Sequence, residues 1–188
     1  MRTTIFTAFL LFAAFSAAAG QSRSNESISR QIKTLNAGNA ITLTFDPAGN
    51  SSKLMAVSEN FSASETDAAG IRAMNFAAGI IYAGDSLASP PDTVKLTFWA
   101  MTKHPRFADA HRLTVYLPSE TLDLGDARYS PKPRTNMEYL NFEIPRQDLE
   151  KIAAESSVRF RLGSYDLSFT RSQLRLLADL LVLTDTAR

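Results

Sequence analysis

Short runs in which apolar and polar residues alternate recur along this chain, and they constrain its fold more than any other feature. Clear examples lie at 41–45, 94–100, 113–117 and 140–144, and each is followed by Pro, Asp or other polar residues. A period of two places every second side chain on the same face of an extended strand. The pattern therefore predicts a mainly β, α+β domain built like an antiparallel β-sandwich.

The stretch VRFRLGSYDLSF, residues 158–169, predicts a β-hairpin. If Gly163 and Ser164 form a two-residue loop, glycine at the first position favours a type II′ turn. The apolar face then pairs Val158 with Phe169, Phe160 with Leu167, and Leu162 with Tyr165. The other face places Arg161 opposite Asp166. A slip of one residue would expose every apolar side chain, so the pattern indicates scaffold rather than a binding site.

Two helices are predicted in the last third of the chain. Pro145 suits the first turn of a short helix near 146–155, in which the apolar residues share one face. Thr170 followed by Gln173 forms a capping-box pattern that predicts a C-terminal helix over 171–183.

Residues 64–83 are compatible with more than one element. Ser64 followed by Asp67 resembles a helix start, but two glycines weaken a helix through this stretch. The Ile-Ile-Tyr sequence near its end suits a pleated surface, so a strand is favoured over 71–83.

The C-terminal helix carries more leucine than a surface helix needs. Its leucines cover about twice the apolar arc that contact with one neighbour requires. With three leucines on the sheet-facing side, Leu176, Leu180 and Leu183 lie on the opposite side. Either a groove within the monomer covers these three residues, or they form a surface for self-association.

The first residues predict a secretory signal peptide over 1–19. Arg2 supplies the positive charge, 5–15 form the short apolar core, and the alanines at 17–19 suit cleavage before Gly20. The apolar run is too short to cross a bilayer comfortably. We therefore expect a secreted or periplasmic protein with no membrane span after cleavage.

Composition narrows the function further. The chain contains no cysteine, which excludes a disulfide framework and thiolate metal sites. Its formal net charge is only +1, so no nucleic-acid partner is expected. Residues 20–34 are polar and are predicted to form a flexible N-terminal arm. Residues 35–188 are then expected to form a single globular β-rich domain.

A search for catalytic and metal-binding motifs finds none of the usual patterns. The Gly-x-Ser-x-Gly elbow, the phosphate-binding glycine loop and the helical zinc-binding motif are all absent from the sequence. No metal and no cofactor is therefore expected. His104 and His111, with Asp109 between them, could pair as acid and base, or they could lie in a polar connection between strands.

Two loops are rich in basic residues. The first, 102–112, contains Lys103, His104, Arg106 and His111, and the second, 128–135, contains Arg128, Tyr129, Lys132 and Arg134. If the loops meet, they would form a basic patch lined by an aromatic residue. We therefore expect a non-catalytic module that binds an envelope or extracellular partner, such as an anionic ligand or polymer. The alternative is a secreted hydrolase that uses His104 or His111.

Overall fold

The computed structural model describes residues 22–35 and 40–185, so the signal peptide predicted for 1–19 lies outside the described residues. The strands are β1 (Arg23–Ser24), β2 (Ile41–Asp46), β3 (Ser51–Val57), β4 (Ile71–Ala83), β5 (Ser86–Leu87), β6 (Thr93–Thr102), β7 (Arg112–Tyr116), β8 (Thr121–Asp126), β9 (Arg128–Lys132), β10 (Met137–Pro145), β11 (Val158–Leu162) and β12 (Tyr165–Phe169). The helices are α1 (Asn25–Thr34), α2 (Ala63–Ala68), α3 (Arg146–Ala154) and α4 (Arg171–Thr184).

The strands form two large antiparallel sheets and one small one. The six-stranded sheet has the order β2-β3-β4-β6-β10-β9, and the four-stranded sheet has the order β12-β11-β7-β8. β1 and β5 form a separate pair. One face of each large sheet contributes to a shared apolar core that also includes residues of all the longer helices. The prediction of a mainly β, α+β, sandwich-like fold is confirmed.

The centre of this core is aromatic. Phe98 of β6 lies beside Phe76 and Phe142 of the same sheet, with ring centroids 6.0 and 6.1 Å away. Its centroid is also 5.5 Å from that of Phe160 and 6.4 Å from that of Phe169, both in the four-stranded sheet. The two sheets are therefore held together by tilted and edge-to-face ring contacts.

The hairpin of β11 and β12 has the predicted register, including Phe160 opposite Leu167. Gly163 has φ +59°, whereas Ser164 does not have a positive φ, which is the pattern a type II′ turn requires. A Cβ on Gly163 would lie 2.2 Å from the carbonyl oxygen of Ala110, so a side chain is excluded there. Arg161 and Asp166 form the predicted ion pair at 2.8 Å.

Helix α4 begins with the predicted capping box, in which Thr170 and Gln173 exchange hydrogen bonds. It packs against α3, α1 and strands β3 and β4. The three leucines considered for self-association, Leu176, Leu180 and Leu183, are buried within the chain. Elements of the same chain cover them in this conformation, which agrees with the groove alternative.

The N-terminal segment differs from its prediction. Residues 25–34, assigned from sequence to a flexible arm, form helix α1, which Ser24 caps. Ile28 is fully buried, and Ile32, one turn later, packs partly against the core. Asn25 adds hydrogen bonds with Ser52 and Tyr82, so an apolar spacing of four residues and one polar anchor dock a helix whose average composition is polar.

The strand favoured for 71–83 is confirmed as β4, and the short helix predicted near 146–155 is confirmed as α3. The helix-like start within 64–83 also has a counterpart, because α2 precedes β4. Gly70, with φ +68°, makes the turn between these two elements.

Replacing Phe160 with alanine is expected to lower the free energy of unfolding by about 3–5 kcal/mol, because its ring is fully buried. The adjacent change Arg159→Ala should cost less than about 0.5 kcal/mol, because Arg159 is exposed. Denaturant unfolding of the two variants measures both values. Equal losses would contradict the register of the hairpin.

Leu180→Asp is expected to lower the free energy of unfolding by at least about 3 kcal/mol, because it buries an unpaired carboxylate. Val182→Asp on the same helix is the matched control, since Val182 is 43% exposed. The control should lose less than about 1 kcal/mol. Thermal unfolding with circular dichroism distinguishes the two. A Leu180→Asp protein as stable as the control would mean that α4 is not covered in solution.

Candidate functional site

The carboxylate of Glu138 in β10 is buried, with 2% of the residue exposed. It accepts hydrogen bonds from the Thr102 hydroxyl at 2.6 Å, the Tyr129 hydroxyl at 2.9 Å, and the backbone N–H groups of Arg106 and Phe107 at 2.9 and 3.0 Å. Charge-assisted bonds of this kind offset the loss of solvation that burial imposes on a carboxylate.

These contacts join the two basic loops. Thr102, Arg106 and Phe107 belong to the loop predicted at 102–112, whereas Tyr129 belongs to β9 in the other. A backbone hydrogen bond from Ala127 to His111 closes the base of the same region at 3.0 Å. The two loops therefore meet.

The sequence-predicted residues occupy several places in this region. Lys103, His104 and Lys132 line a depression of about 130 Å³, which we call the loop depression. Arg134 is exposed in a short 3₁₀ turn after β9. Among the described residues, five basic side chains of the two loops form no ion pair, whereas Arg112, at the end of the first loop, pairs with Asp123 and Asp126; the five are Lys103, Arg106, Arg128, Lys132 and Arg134.

Arg106 lies apart from the loop depression. A Cβ on Gly70 would lie only 2.4 Å from a guanidinium nitrogen of Arg106, so this side chain extends over the turn between α2 and β4. Its backbone, rather than its guanidinium, contributes to the junction of the loops through the hydrogen bond to Glu138. The two loops therefore meet, as the prediction required, but the side chain of Arg106 lies outside the loop depression.

His111 and Tyr129 form a stacked pair. Their ring centroids are 5.9 Å apart and their planes differ by 15°. The Nδ1 atom of His111 lies 3.2 Å from the carbonyl oxygen of Phe107, which can only accept, so Nδ1 carries the proton. Among the described side-chain hydrogen bonds, neither His111 nor His104 contacts a hydroxyl or a carboxylate.

The environment of Tyr129 disfavours its ionised form. Burial raises the pKa of Tyr129, and so do its hydrogen bond to Glu138 and the negative charges of Glu138 and Asp109, bringing it to about 12. The neutral hydroxyl therefore remains a donor to Glu138 across the physiological range.

A second depression, of about 430 Å³, lies on the outer face of the six-stranded sheet, and we call it the sheet depression. Its lining includes Lys95 and Thr97 of β6, Asn141 of β10, and Arg128 and Ser130 of β9. Asn141 accepts a hydrogen bond from Thr97 at 3.0 Å and donates one to the Arg128 carbonyl at 3.1 Å. Of these lining residues, only Arg128 is predicted from the sequence. The others come together only because distant strands pair in the sheet.

Glu138 was also missed. The signal was present, because Glu138 is in phase with the inward-facing residues Leu140, Phe142 and Ile144, so period-two alternation places an acid on the apolar side. Its partners in the other loop could not be identified without the fold.

The described residues contain no group of three or more His, Cys, Asp or Glu side chains arranged to hold a metal ion. No helix in the described ranges combines the length and apolar character that crossing a membrane requires.

Comparison with known proteins gives little further information. No family model and no curated protein matches the sequence. Among solved structures, the chain has a weak similarity to a proposed lipoprotein from Staphylococcus aureus subsp. aureus, at 10% identity. The match covers 71% of this chain and 94% of that one, with a TM-score of 0.19. A similarity of this size does not support a shared fold or function.

Changing Tyr129 to Phe is expected to destabilise the protein at neutral pH, because Glu138 loses a donor. A folded-state pKa of about 12, above the ordinary 10.0, means that this contribution is present below about pH 10 and is lost as the pH rises through about 12. The difference in free energy of unfolding between the two proteins should therefore shrink over that interval.

Urea unfolding across this pH range measures the effect. Repeating it in a Glu138→Gln background is the control, and the pH dependence should be smaller there because one cause of the raised pKa has been removed. A Tyr129→Phe difference that is constant from neutral to strongly alkaline pH would contradict the Tyr129–Glu138 contact.

Proposed function

We propose that the protein is a secreted or periplasmic, non-catalytic module that binds an anionic ligand or polymer. The observation that supports this function best is the meeting of the two basic loops at Glu138. Lys103, His104 and Lys132 thereby surround one depression in a chain of almost neutral net charge.

The arrangement favours an anion because the carboxylate in the loop depression, that of Glu138, is already hydrogen-bonded to neighbouring residues. Glu138 is buried and accepts five hydrogen bonds from its neighbours, so its oxygens are not free to compete for a ligand. The exposed cations around it remain available. Glu138 also lines the loop depression, but Lys103 and Lys132 leave an excess of positive charge there, which raises the local concentration of anions. Such binding is expected to weaken as salt is added.

The alternative function, a hydrolase that uses His104 or His111, has less support. Catalysis by either imidazole would need a nucleophile or an orienting carboxylate nearby. Instead, His111 donates to a carbonyl and stacks on Tyr129, and His104 shares its depression with two lysines. Lysines close to an imidazole suit anion binding better than proton abstraction.

The export proposal depends on the N-terminal sequence pattern, not on the comparisons. The charged residue, apolar core and small residues before Gly20 match a cleavable signal.

Reversing the charges at Lys103 and Lys132, as Lys103→Glu and Lys132→Glu together, is expected to weaken binding of inorganic polyphosphate by at least about tenfold. Both lysines line the loop depression, and reversal makes it repel the probe. Lys33→Glu is the matched control, because Lys33 is exposed on α1, which packs by β2 at the opposite edge of the sheet. Isothermal titration calorimetry at low and physiological salt measures the affinities.

The histidine variants separate the two functions. His104→Ala and His111→Ala should retain polyphosphate binding within a few-fold if the protein is a binding module. A hydrolytic activity on esters or phosphoesters that disappears with either variant would favour the enzyme. Equal affinities for the double-reversal protein and the Lys33→Glu control would overturn the proposed site.

A further inference from the structure

The outer face of the six-stranded sheet carries aromatic residues that are partly exposed in the described part of the chain. Trp99 of β6 lies directly opposite Tyr139 of β10, which lies opposite Ser130 of β9. All three side chains are half-buried by their neighbours in the sheet rather than buried beneath another layer. Met101, on the same face of β6, is 39% exposed.

A row of hydrogen-bonding side chains runs beside these aromatic residues. Thr97, Asn141 and Arg128 lie in register across β6, β10 and β9 and line the sheet depression. The Thr97 hydroxyl and the Asn141 amide bond to each other and to the Arg128 carbonyl, and each keeps a further lone pair or N–H with which a ligand can bond.

Strand β9 connects the two depressions. Lys132, at one end, lines the loop depression, whereas Arg128, at the other end, lines the sheet depression together with Lys95. Four residues along a strand correspond to about 13 Å. The cations therefore stand at two ends of a continuous surface, with the Trp99–Tyr139 pair across from its middle. A single carboxylate or phosphate cannot reach both ends.

We infer that this surface, the outer face of β6, β10 and β9, binds an acidic polysaccharide. The inference rests on the proposed function and names its ligand class. A sugar ring offers an apolar face to an aromatic side chain, and its hydroxyls bond to amide and hydroxyl groups. Carboxylates carried at intervals along the polymer would meet Lys132 at one end and Arg128 at the other.

The charge distribution favours this polymer over a nucleic acid. A nucleic acid carries one negative charge for each nucleotide and is held by closely spaced cations. Here Glu143 lies opposite Lys95 in the sheet depression and offsets its charge, so the remaining cations, Arg128 and Lys132, stand far apart. Cations that are widely spaced, with neutral hydrogen-bonding groups between them, match a sparsely charged chain instead.

The experiment uses oligomers of hyaluronate, a polysaccharide with one carboxylate on every second sugar, with inorganic polyphosphate and a single-stranded oligothymidylate as comparison probes. Trp99 is the only tryptophan in the chain, so its fluorescence reports directly on this surface. We expect a saturable change in emission with hyaluronate. By calorimetry, Trp99→Ala should weaken hyaluronate binding at least tenfold while leaving polyphosphate binding within twofold.

Two further variants, Trp99→Phe and Tyr139→Ala, test whether the aromatic faces themselves contribute to binding. Phenylalanine retains an aromatic face, so Trp99→Phe should keep most of the affinity even if Trp99→Ala proves unstable. Tyr139→Ala should reproduce the loss from the opposite strand. Circular dichroism checks that each variant is folded.

The outcomes distinguish this inference from the proposed function. If polyphosphate binding depends on Lys103 and Lys132 but hyaluronate does not bind, the anion site stands and the polysaccharide surface is overturned. Failure of both probes overturns both proposals. Binding of oligothymidylate that is tighter than that of hyaluronate and is lost in Trp99→Ala would identify a nucleic-acid surface instead. Equal loss of polyphosphate and hyaluronate in Trp99→Ala would overturn the stacking role.

Discussion

Phe98 lies where the two sheets meet, and its ring contacts Phe160 and Phe169 across the interface. Because side chains alternate along a strand, an inward Phe98 requires an outward Trp99 on the next residue. The pairing of β6 with β10 then places Tyr139 beside Trp99 on the open side. The packing that stabilises the interior therefore also fixes which aromatic groups face solvent. A shift of one residue in the register would disrupt both the packing of the core and the aromatic pair on the outer face.

Glu138 joins the two basic loops through its hydrogen bonds, as Phe98 joins the two sheets through its ring contacts. A buried carboxylate is costly unless donors surround it, and here the hydroxyls of Thr102 and Tyr129 and two backbone N–H groups supply them. These donors come from two segments, 102–107 and the start of β9, which are more than twenty positions apart in sequence. The hydrogen bonds to this one carboxylate therefore hold the two loops in a fixed arrangement before a ligand binds. This preorganisation reduces the conformational entropy that is lost on binding.

The elements that could be predicted from sequence are those whose evidence is local. Alternation identified the strands and the register of the hairpin, and the Thr170–Gln173 pair located the start of α4. Helix α1 was missed because it contributes few apolar residues to the core, and its hydrogen bonds from Asn25 to Ser52 and Tyr82 depend on the fold. At the site, the basic loops were named from composition. Their junction at Glu138 and the row beside Trp99 depend on pairing between distant strands, which a single sequence does not specify.

Arg23 binds the C-terminal end of α4, donating to the carbonyl oxygens of Val182 and Asp185 at 2.7 Å each. A cation at this end of a helix complements its dipole. The contact spans 159 to 162 positions of sequence, and contacts of such separation form late and slow the search for the native topology. During synthesis, this contact can form only after α4 has been made. Until then the apolar residues that α4 will cover stay exposed, and in that interval the nascent chain is open to capture by a chaperone.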